Sequence, residues 1–232
     1  MKLAIMQPYL FPYIGYFQLI KVVDKFVILD DVNFIKKGWI NRNRILVNRR
    51  EYLFSVPLKH ASQNKLIKDV QISNEIDWKN KLIKTIELSY KKAPYFNEVI
   101  MLIKDIILYD EDNLSKYILN SLIQLNKYLA IATKIVPTSV IYNNSHLTGQ
   151  KKIIDICLQE NATHYINTIG GKELYDLNIF ANHGIKLSFI KSCLIQYKRF
   201  TNDFVQGFSI IDVIMRNAKD EIEKYLNSFE LL

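Results

Sequence analysis

The sequence predicts an α/β fold: an open, mostly parallel, Rossmann-like sheet with an inserted β-hairpin and a helical block. Three observations lead there. Leu3-Ala4-Ile5-Met6 and Phe26-Val27-Ile28-Leu29 are short, wholly apolar runs that stop abruptly at polar residues, as strands buried on both faces do. A helix over 16–23 separates them, which makes a β-α-β opening and hence a parallel pair. The alternation returns late in the chain, with strands at 164–166 and 185–190 around a helix over 174–182.

The remaining elements follow in order. A polar loop spans 33–43, after which Ile45-Leu46-Val47 and Tyr52-Leu53-Phe54-Ser55-Val56 flank Asn48-Arg49-Arg50-Glu51, predicting a hairpin with a four-residue loop. Residues 76–130 form a helical insertion or subdomain. Over 76–91, Ile76, Leu82, Ile83, Ile86 and Tyr90 recur at helical spacing while Lys79, Lys81 and Lys84 take other faces. Pro94 separates that helix from one over 95–108, and a third runs over 114–129. Alternation over 134–141 predicts a strand, followed by a helix over 150–160, a turn at Gly170-Gly171 and a last helix over 210–226. No internal repeat or domain boundary interrupts residues 1–232, so the chain reads as a single α/β domain.

Composition narrows the classes. With 232 residues, 49% apolar and 23% charged, the chain can bury a substantial core. Cys157 and Cys193 are its only cysteines, which points to a reducing compartment. The apolar run toward Ile20 imitates a signal peptide, but Gln7, Pro8 and Pro12 interrupt it and no small-residue cleavage site follows. No uninterrupted apolar stretch reaches the roughly 18 residues of a membrane span. A cytoplasmic protein without a transmembrane segment is expected. The net charge is +8, and lysine supplies 25 of the 31 basic residues beside abundant Ile and Asn, a bias that an AT-rich coding sequence produces unselected. Lys36, Lys37, Arg42, Arg44, Arg49 and Arg50 are the local exception, with four of the six arginines. Neither a basic helical stripe nor a nucleic-acid-binding module is present, so no nucleic-acid partner is expected.

In an open α/β sheet, ligands bind beyond the carboxyl ends of the strands, where the strand order reverses. The loops after the first strand (7–15) and the second (30–43) reach that edge together. Pro8 and Pro12 stiffen the first loop and Gly15 permits a close approach. Tyr9 and Tyr13 either stack on a base or sugar, with Gln7 supplying amide hydrogen bonds, or cap the core. Of Asp30 and Asp31, one is expected to face the site and the other to cap a turn. As a pair they can hold a divalent ion with a nucleotide diphosphate, orient an amine and accept its proton, or stand as solvated turn acids. Trp39 offers a stacking face, Asn41 a donor and an acceptor, and Arg42 a bidentate fork, unless this is a solvated basic loop around one buried ring. Lys59-His60 is a candidate acid/base pair, and Gly170-Gly171-Lys172 a weak phosphate cradle. No Cys/His metal spacing and no G-x-S-x-G elbow occur, so zinc and α/β-hydrolase chemistry are disfavoured and no metal site is assigned.

Taken together, Met6-Gln7-Pro8-Tyr9-Leu10-Phe11-Pro12-Tyr13-Ile14-Gly15-Tyr16-Phe17, Asp30-Asp31 and Trp39-Ile40-Asn41-Arg42-Asn43-Arg44-Ile45 resemble the WbqC-like family. Looser matches follow in order: Pro57-Leu58, Lys91-Lys92-Ala93-Pro94-Tyr95, Gly170-Gly171-Lys172 with Tyr175, and Ser209-Ile210-Ile211-Asp212. Ala218 departs from the family's glycine, and His60 and His146 fall outside its motifs. The resemblance implies a bacterial protein associated with surface-polysaccharide gene clusters, often those of O-antigen and lipopolysaccharide. The expected activity is that of a transferase placing an N-acyl or aminoacyl group on a nucleotide-linked amino sugar. Tyr9, Tyr13 and Trp39 would hold base or sugar, Arg42 and Arg44 the phosphates, and Asp30, Asp31 or His60 would take the amine proton. Gln7, Asn41, Lys59, Gly170, Gly171, Lys172 and Tyr175 complete the substrate-binding set. The donor would be an acyl thioester of CoA or of a carrier protein, and an acidic acyl carrier suits the +8 charge. A glycosyltransferase, a nucleotidyltransferase-like enzyme or a non-catalytic binding protein of the same pathway are the alternatives.

Overall fold

The computed structural model describes residues 1–193 and 207–232. Strand β1 (Lys2–Met6), helix α1 (Ile14–Val22) and strand β2 (Lys25–Ile28) form the predicted opening unit. Two small antiparallel hairpins follow, β3 (Arg42–Val47) with β4 (Arg50–Ser55) and β5 (Leu58–Lys59) with β6 (Gln71–Ile72). Helices α2 (Trp78–Tyr90), α3 (Phe96–Leu108) and α4 (Leu114–Tyr128) make up the helical block. The chain returns to the main sheet as β7 (Lys134–Val136), α5 (Gly149–Gln159), β8 (His164–Thr168), α6 (Leu177–Asn182) and β9 (Lys186–Ser192). It finishes with α7 (Ile210–Arg216), α8 (Lys219–Leu226) and β10 (Phe229–Leu231).

The main sheet has six strands in the order β10-β9-β8-β1-β2-β7, all parallel except β10. From β1 the chain moves outward through β2 to β7, then crosses back to β8 on the other side of β1. The strand order therefore reverses between β1 and β8, and the carboxyl ends of those strands flank the crevice where such sheets bind ligands.

Both faces of the sheet are covered, which is why its strands read as continuous apolar runs. Ala4, Phe26, Ile28, Ile166 and Ile190 point to the side packed by α1 and the helical block, where Tyr16, Phe17, Leu19 and Ile20 meet them. Leu3, Ile5, Val27 and Tyr165 point to the other side, against Ile153, Ile154, Ile156 and Cys157 of α5 and Phe180 of α6. Burial raises the Cys157 thiol to about 12, so it stays a protonated, inert core group. Helix starts are capped locally: Asp77 accepts from the Asn80 N–H ahead of α2, and Asn113 from the Lys116 N–H ahead of α4.

The structure corrects several boundaries. The predicted four-residue hairpin loop is a two-residue turn, because Asn48 (φ +50°) and Arg49 (φ +63°) both adopt the left-handed conformation of a type I′ turn, leaving Arg50 and Glu51 to pair with β3. The strand expected over 134–141 stops at Val136, since Ser139–Tyr142 coil into a 3₁₀ turn. The helix expected over 174–182 begins at Leu177, after a 3₁₀ turn over Ile169–Leu174. The last helix is two, broken at Asn217 and Ala218, whose extended backbones redirect the chain.

Candidate functional site

The aromatic loop leaving β1 is fixed by hydrogen bonds rather than by length. Asn43 of β3 is buried, and its Nδ2 donates to the carbonyls of Leu10 (3.1 Å) and Phe11 (2.7 Å). Ser209 Oγ donates to the same Phe11 carbonyl at 2.9 Å, the Ile210 N–H to Pro12 O at 2.9 Å, and the Leu10 N–H to Ile40 O at 3.1 Å. These clamps hold Phe11 at φ +44°, a conformation a non-glycine residue keeps only when its surroundings enforce it. Leu10 and Phe11 plug the core, and Tyr9 and Tyr13 are left half-buried, packed against it. The Tyr9 ring lies 5.5 Å from that of Tyr16, whose hydroxyl donates to the Gln7 carbonyl at 2.8 Å.

Gly15 is required here by contact. A Cβ at this position would lie 2.2 Å from Tyr13 Cε2, so only glycine lets the tyrosine ring fold over the first turn of α1. Gly15→Ala is expected to swing the Tyr13 ring out and to weaken ligand binding at the pocket while the protein stays folded. Tyrosine fluorescence quenching by acrylamide and a ligand isotherm check this; an unchanged quenching constant counts against it.

Across from the loop, Trp39 stands at 40% exposure with the Arg44 guanidinium 5.0 Å and the Arg42 guanidinium 5.6 Å from its ring centre. The two arginines do different work. Arg42 bonds the carbonyls of its own loop, Gly38 O at 2.9 Å and Lys37 O, and so closes the turn that presents Trp39. Arg44 pairs with Glu51 at 3.1 Å on the neighbouring strand, and its Nη2 reaches Gly207 O at 3.4 Å. Asn41 donates to Val56 O at 2.8 Å and braces the hairpin.

Tyr9, Pro12, Tyr13, Trp39, Asn43 and Arg44 surround a cavity of about 200 Å³, and Gly207 closes its rim. Burial raises the phenol of Tyr13, and burial with the neighbouring Tyr13 charge raises that of Tyr9, so both stay protonated hydrogen-bond donors at neutral pH. Aromatic faces, phenol donors and one guanidinium suit a planar or sugar ring carrying negative charge.

Asp30 and Asp31 lie elsewhere, and the expectation that one faces a site is corrected. Both are buried, at 4% and 8% exposure. Asp30 accepts from Thr138 Oγ1 (2.7 Å), Ser115 Oγ (2.8 Å) and the Ser139 N–H (3.2 Å). Asp31 bonds the Ser139 hydroxyl and forms an ion pair with Lys152 Nζ at 2.6 Å. These carboxylates tie the ends of β2 and β7 to α4 and α5. Lys152 escaped sequence reading: the only hint was that two adjacent acids at a strand end need a cation once buried.

The other expected residues also stand apart from the pocket lining. Gly170 and Lys172 are exposed on the 3₁₀ turn after β8. Gly171 is buried against the Asn167 side chain, whose Nδ2 donates to Tyr165 Oη (3.1 Å) and Tyr175 Oη (3.0 Å). Tyr175 thus belongs to a tyrosine–asparagine cluster built on β8. Lys59 and His60 are exposed at the end of β5, with His60 at φ +48°. Gln7 sits half-buried at the end of β1. Of the expected binding residues, Tyr9, Tyr13, Trp39 and Arg44 come together around the cavity. Among the described residues no group of His, Cys, Asp or Glu could hold a metal ion, and no helix is long and apolar enough to cross a membrane.

Fold and pocket define an α/β protein with a concave, ring-lined site at the carboxyl edge of an open sheet. The chain belongs to the WbqC-like protein family, whose model matches residues 7–224. It is 28% identical over 229 residues to the uncharacterized protein Rv1507c of Mycobacterium tuberculosis, covering 97% of each chain. No solved structure matches it.

Proposed function

We propose that the protein is a transferase of bacterial surface-polysaccharide biosynthesis that carries an N-acyl or aminoacyl group onto a nucleotide-linked amino sugar. The observation behind this is the pocket formed by Tyr9, Tyr13, Trp39 and Arg44 beside the central strand. Its roughly 200 Å³ exceeds the ~150 Å³ that admits a benzene ring. One base or one sugar ring fits between the Tyr9, Tyr13 and Trp39 side chains, with its phosphates toward Arg44. The remainder of the ligand lies outward along the exposed Lys36 and Lys37.

In the transfer, the sugar nitrogen bonds the thioester carbonyl carbon, the carbon–sulfur bond breaks, the thiolate leaves, and the amine proton passes to a base. Of the three residues expected to take that proton, Asp30 and Asp31 are buried and already bonded, which leaves the exposed His60, outside the pocket lining, as the proposed base for an amine that projects beyond the cavity. Asp30 and Asp31 position loops. Their hydroxyl and lysine partners occupy the oxygens that a glycosyltransferase's metal would need, which favours acyl over glycosyl transfer.

Thermal shift against nucleoside diphosphates, nucleotide amino sugars and acyl thioesters tests the reading. A rise with the nucleotide amino sugar is expected, and Trp39→Ala is expected to weaken its binding by the 1–3 kcal/mol typical of one stacked base, about 5- to 150-fold. His60→Gln is expected to lower turnover about 10²-fold or more without changing that binding. No shift with any nucleotide overturns the proposal.

A further inference from the structure

At the amino edge of the main sheet, opposite the pocket, two rows of basic side chains lie on the two faces. On the face packed by α5, Lys25 and Lys134 are register partners on β2 and β7, and a carboxylate answers them. Glu160 pairs with Lys25 and accepts from the Tyr142 hydroxyl at 2.6 Å. Burial works to raise this carboxyl, but the hydrogen bonds from Lys25 and Tyr142 outweigh it and hold the group below its ordinary value.

The other face is different. Lys2, His164 and Lys186 occupy a single register row across β1, β8 and β9. They stand two or four positions before Ala4, Ile166 and Ile190 on their strands, so they share the face packed by α1. Like charges opposite one another on adjacent strands are destabilising. Among the described residues, neither lysine has a carboxylate within ion-pair distance. The Asp24 carboxylate at this edge accepts from the backbone N–H of Lys2 at 2.7 Å and makes no ion pair with either lysine. His164 Nε2 is shielded from solvent and has no hydrogen-bond partner. In one basic row a carboxylate pairs with one of the two lysines; its counterpart, in the same sheet, has two lysines without an ion pair around an orphaned ring nitrogen.

We propose that the Lys2–His164–Lys186 row is a binding site for a phosphoryl group: the exposed Lys2 and Lys186 side chains part to uncover the shielded His164 Nε2, which bonds the group, and then close over it from either side. The lysine backbones stand two strand spacings apart, about 10 Å, a gap two lysine side chains can span around one phosphate. The ligand is inorganic phosphate or a phosphomonoester; the chemistry is shared. The site is separate from the ring-lined pocket and does not rest on the nucleotide-sugar reading.

In the absence of the anion, burial, then the positive charges of Lys186, Lys2 and the Met1 amino group, hold the His164 imidazole below its ordinary value. The ring is neutral at pH 7. The unfolded chain takes up this proton first as pH falls below about 6.5, so the stability the neutral ring contributes is lost on acidification. A bound dianion favours the charged ring and opposes that loss.

The test is a pH titration of the His164 Cε1–H NMR signal, assigned with His164→Gln, in sodium phosphate and in sodium chloride at equal ionic strength. Phosphate is expected to move the titration midpoint up by roughly one pH unit or more and to raise the melting temperature. Both effects should disappear in Lys2→Gln/Lys186→Gln, which should melt in chloride at or above the wild-type temperature, and should persist in Arg44→Ala. Should the double variant fail to fold, His164→Gln decides, and its phosphate-induced rise in melting temperature should shrink. A hexose 1-phosphate binding more tightly than phosphate identifies the ligand as an ester, and equal binding as the free ion. Identical titrations in the two salts, or a phosphate response surviving the double substitution, overturn the proposal, whether or not nucleotide sugars bind at Trp39.

Discussion

Lys152→Met is expected to cost about 3–5 kcal/mol of stability, because it strands the Asp31 carboxylate in the interior without its cation. For a chain of this size that lowers the melting temperature by roughly 6–20 °C. The loss comes from desolvation, since Asp31 keeps the Ser139 hydroxyl but has no compensating charge. The double variant Asp31→Asn/Lys152→Met should therefore recover much of the deficit: asparagine can still bond Ser139, and no ion remains buried. Urea unfolding of the two single variants and the double variant closes the cycle. A loss below about 1 kcal/mol for Lys152→Met would place the pair with exposed ion pairs and remove it from the account of how the strand ends are held.

Asn43→Ala is expected to lower stability by about 3 kcal/mol and to abolish ligand binding at the pocket. One side chain supplies donors to the Leu10 and Phe11 carbonyls and accepts from the Arg44 N–H, and each buried group left unpaired costs about 1–3 kcal/mol. Phe11 would lose part of the enforcement that keeps it at φ +44°, so the loop should relax and the two tyrosine walls with it. Ser209→Ala removes one of two bonds to the Phe11 carbonyl and should cost only about 1 kcal/mol. Binding that survives Asn43→Ala at wild-type affinity would show that the clamp does not shape the pocket.

The parts of this molecule legible in its sequence are those with local causes. Apolar runs ending at Gln7-Pro8 and Asp30-Asp31 mark the central strands because burial on both faces leaves no polar alternation. The helical spacing of Leu82, Ile83, Ile86 and Tyr90 is likewise a property of neighbouring residues, whereas Ile76, expected on the same face, lies ahead of α2 and is exposed. Tyr9, Tyr13, Trp39 and Arg44 stand out by residue type, though rings near strand ends also serve to cap a core, and the structure brings the four around one cavity. Arg42 and Asn41 carried the same chemical signature, yet the carbonyls of Lys37, Gly38 and Val56, on either side of the hairpin, take their donors. Which carbonyls a closing loop turns toward a side chain is not written in residue type. Asp31 and Lys152 meet across 121 positions, and β10 is three residues on the sheet's edge, both consequences of assembly that leave no periodic trace.

Strand β1 sits in the middle of the sheet, and its two flanks close on very different scales. Leu3 pairs with Lys25 on one side, while Lys2 pairs with His164 on the other. During synthesis the first neighbour is available almost at once and the second only after most of the chain has been made. Until β8 docks, the central strand presents an open row of amide and carbonyl groups, the sort of exposed edge that recruits another chain. Long-range closure of this kind is slow, so this flank of β1 is the one that waits longest for its partner as the chain is made.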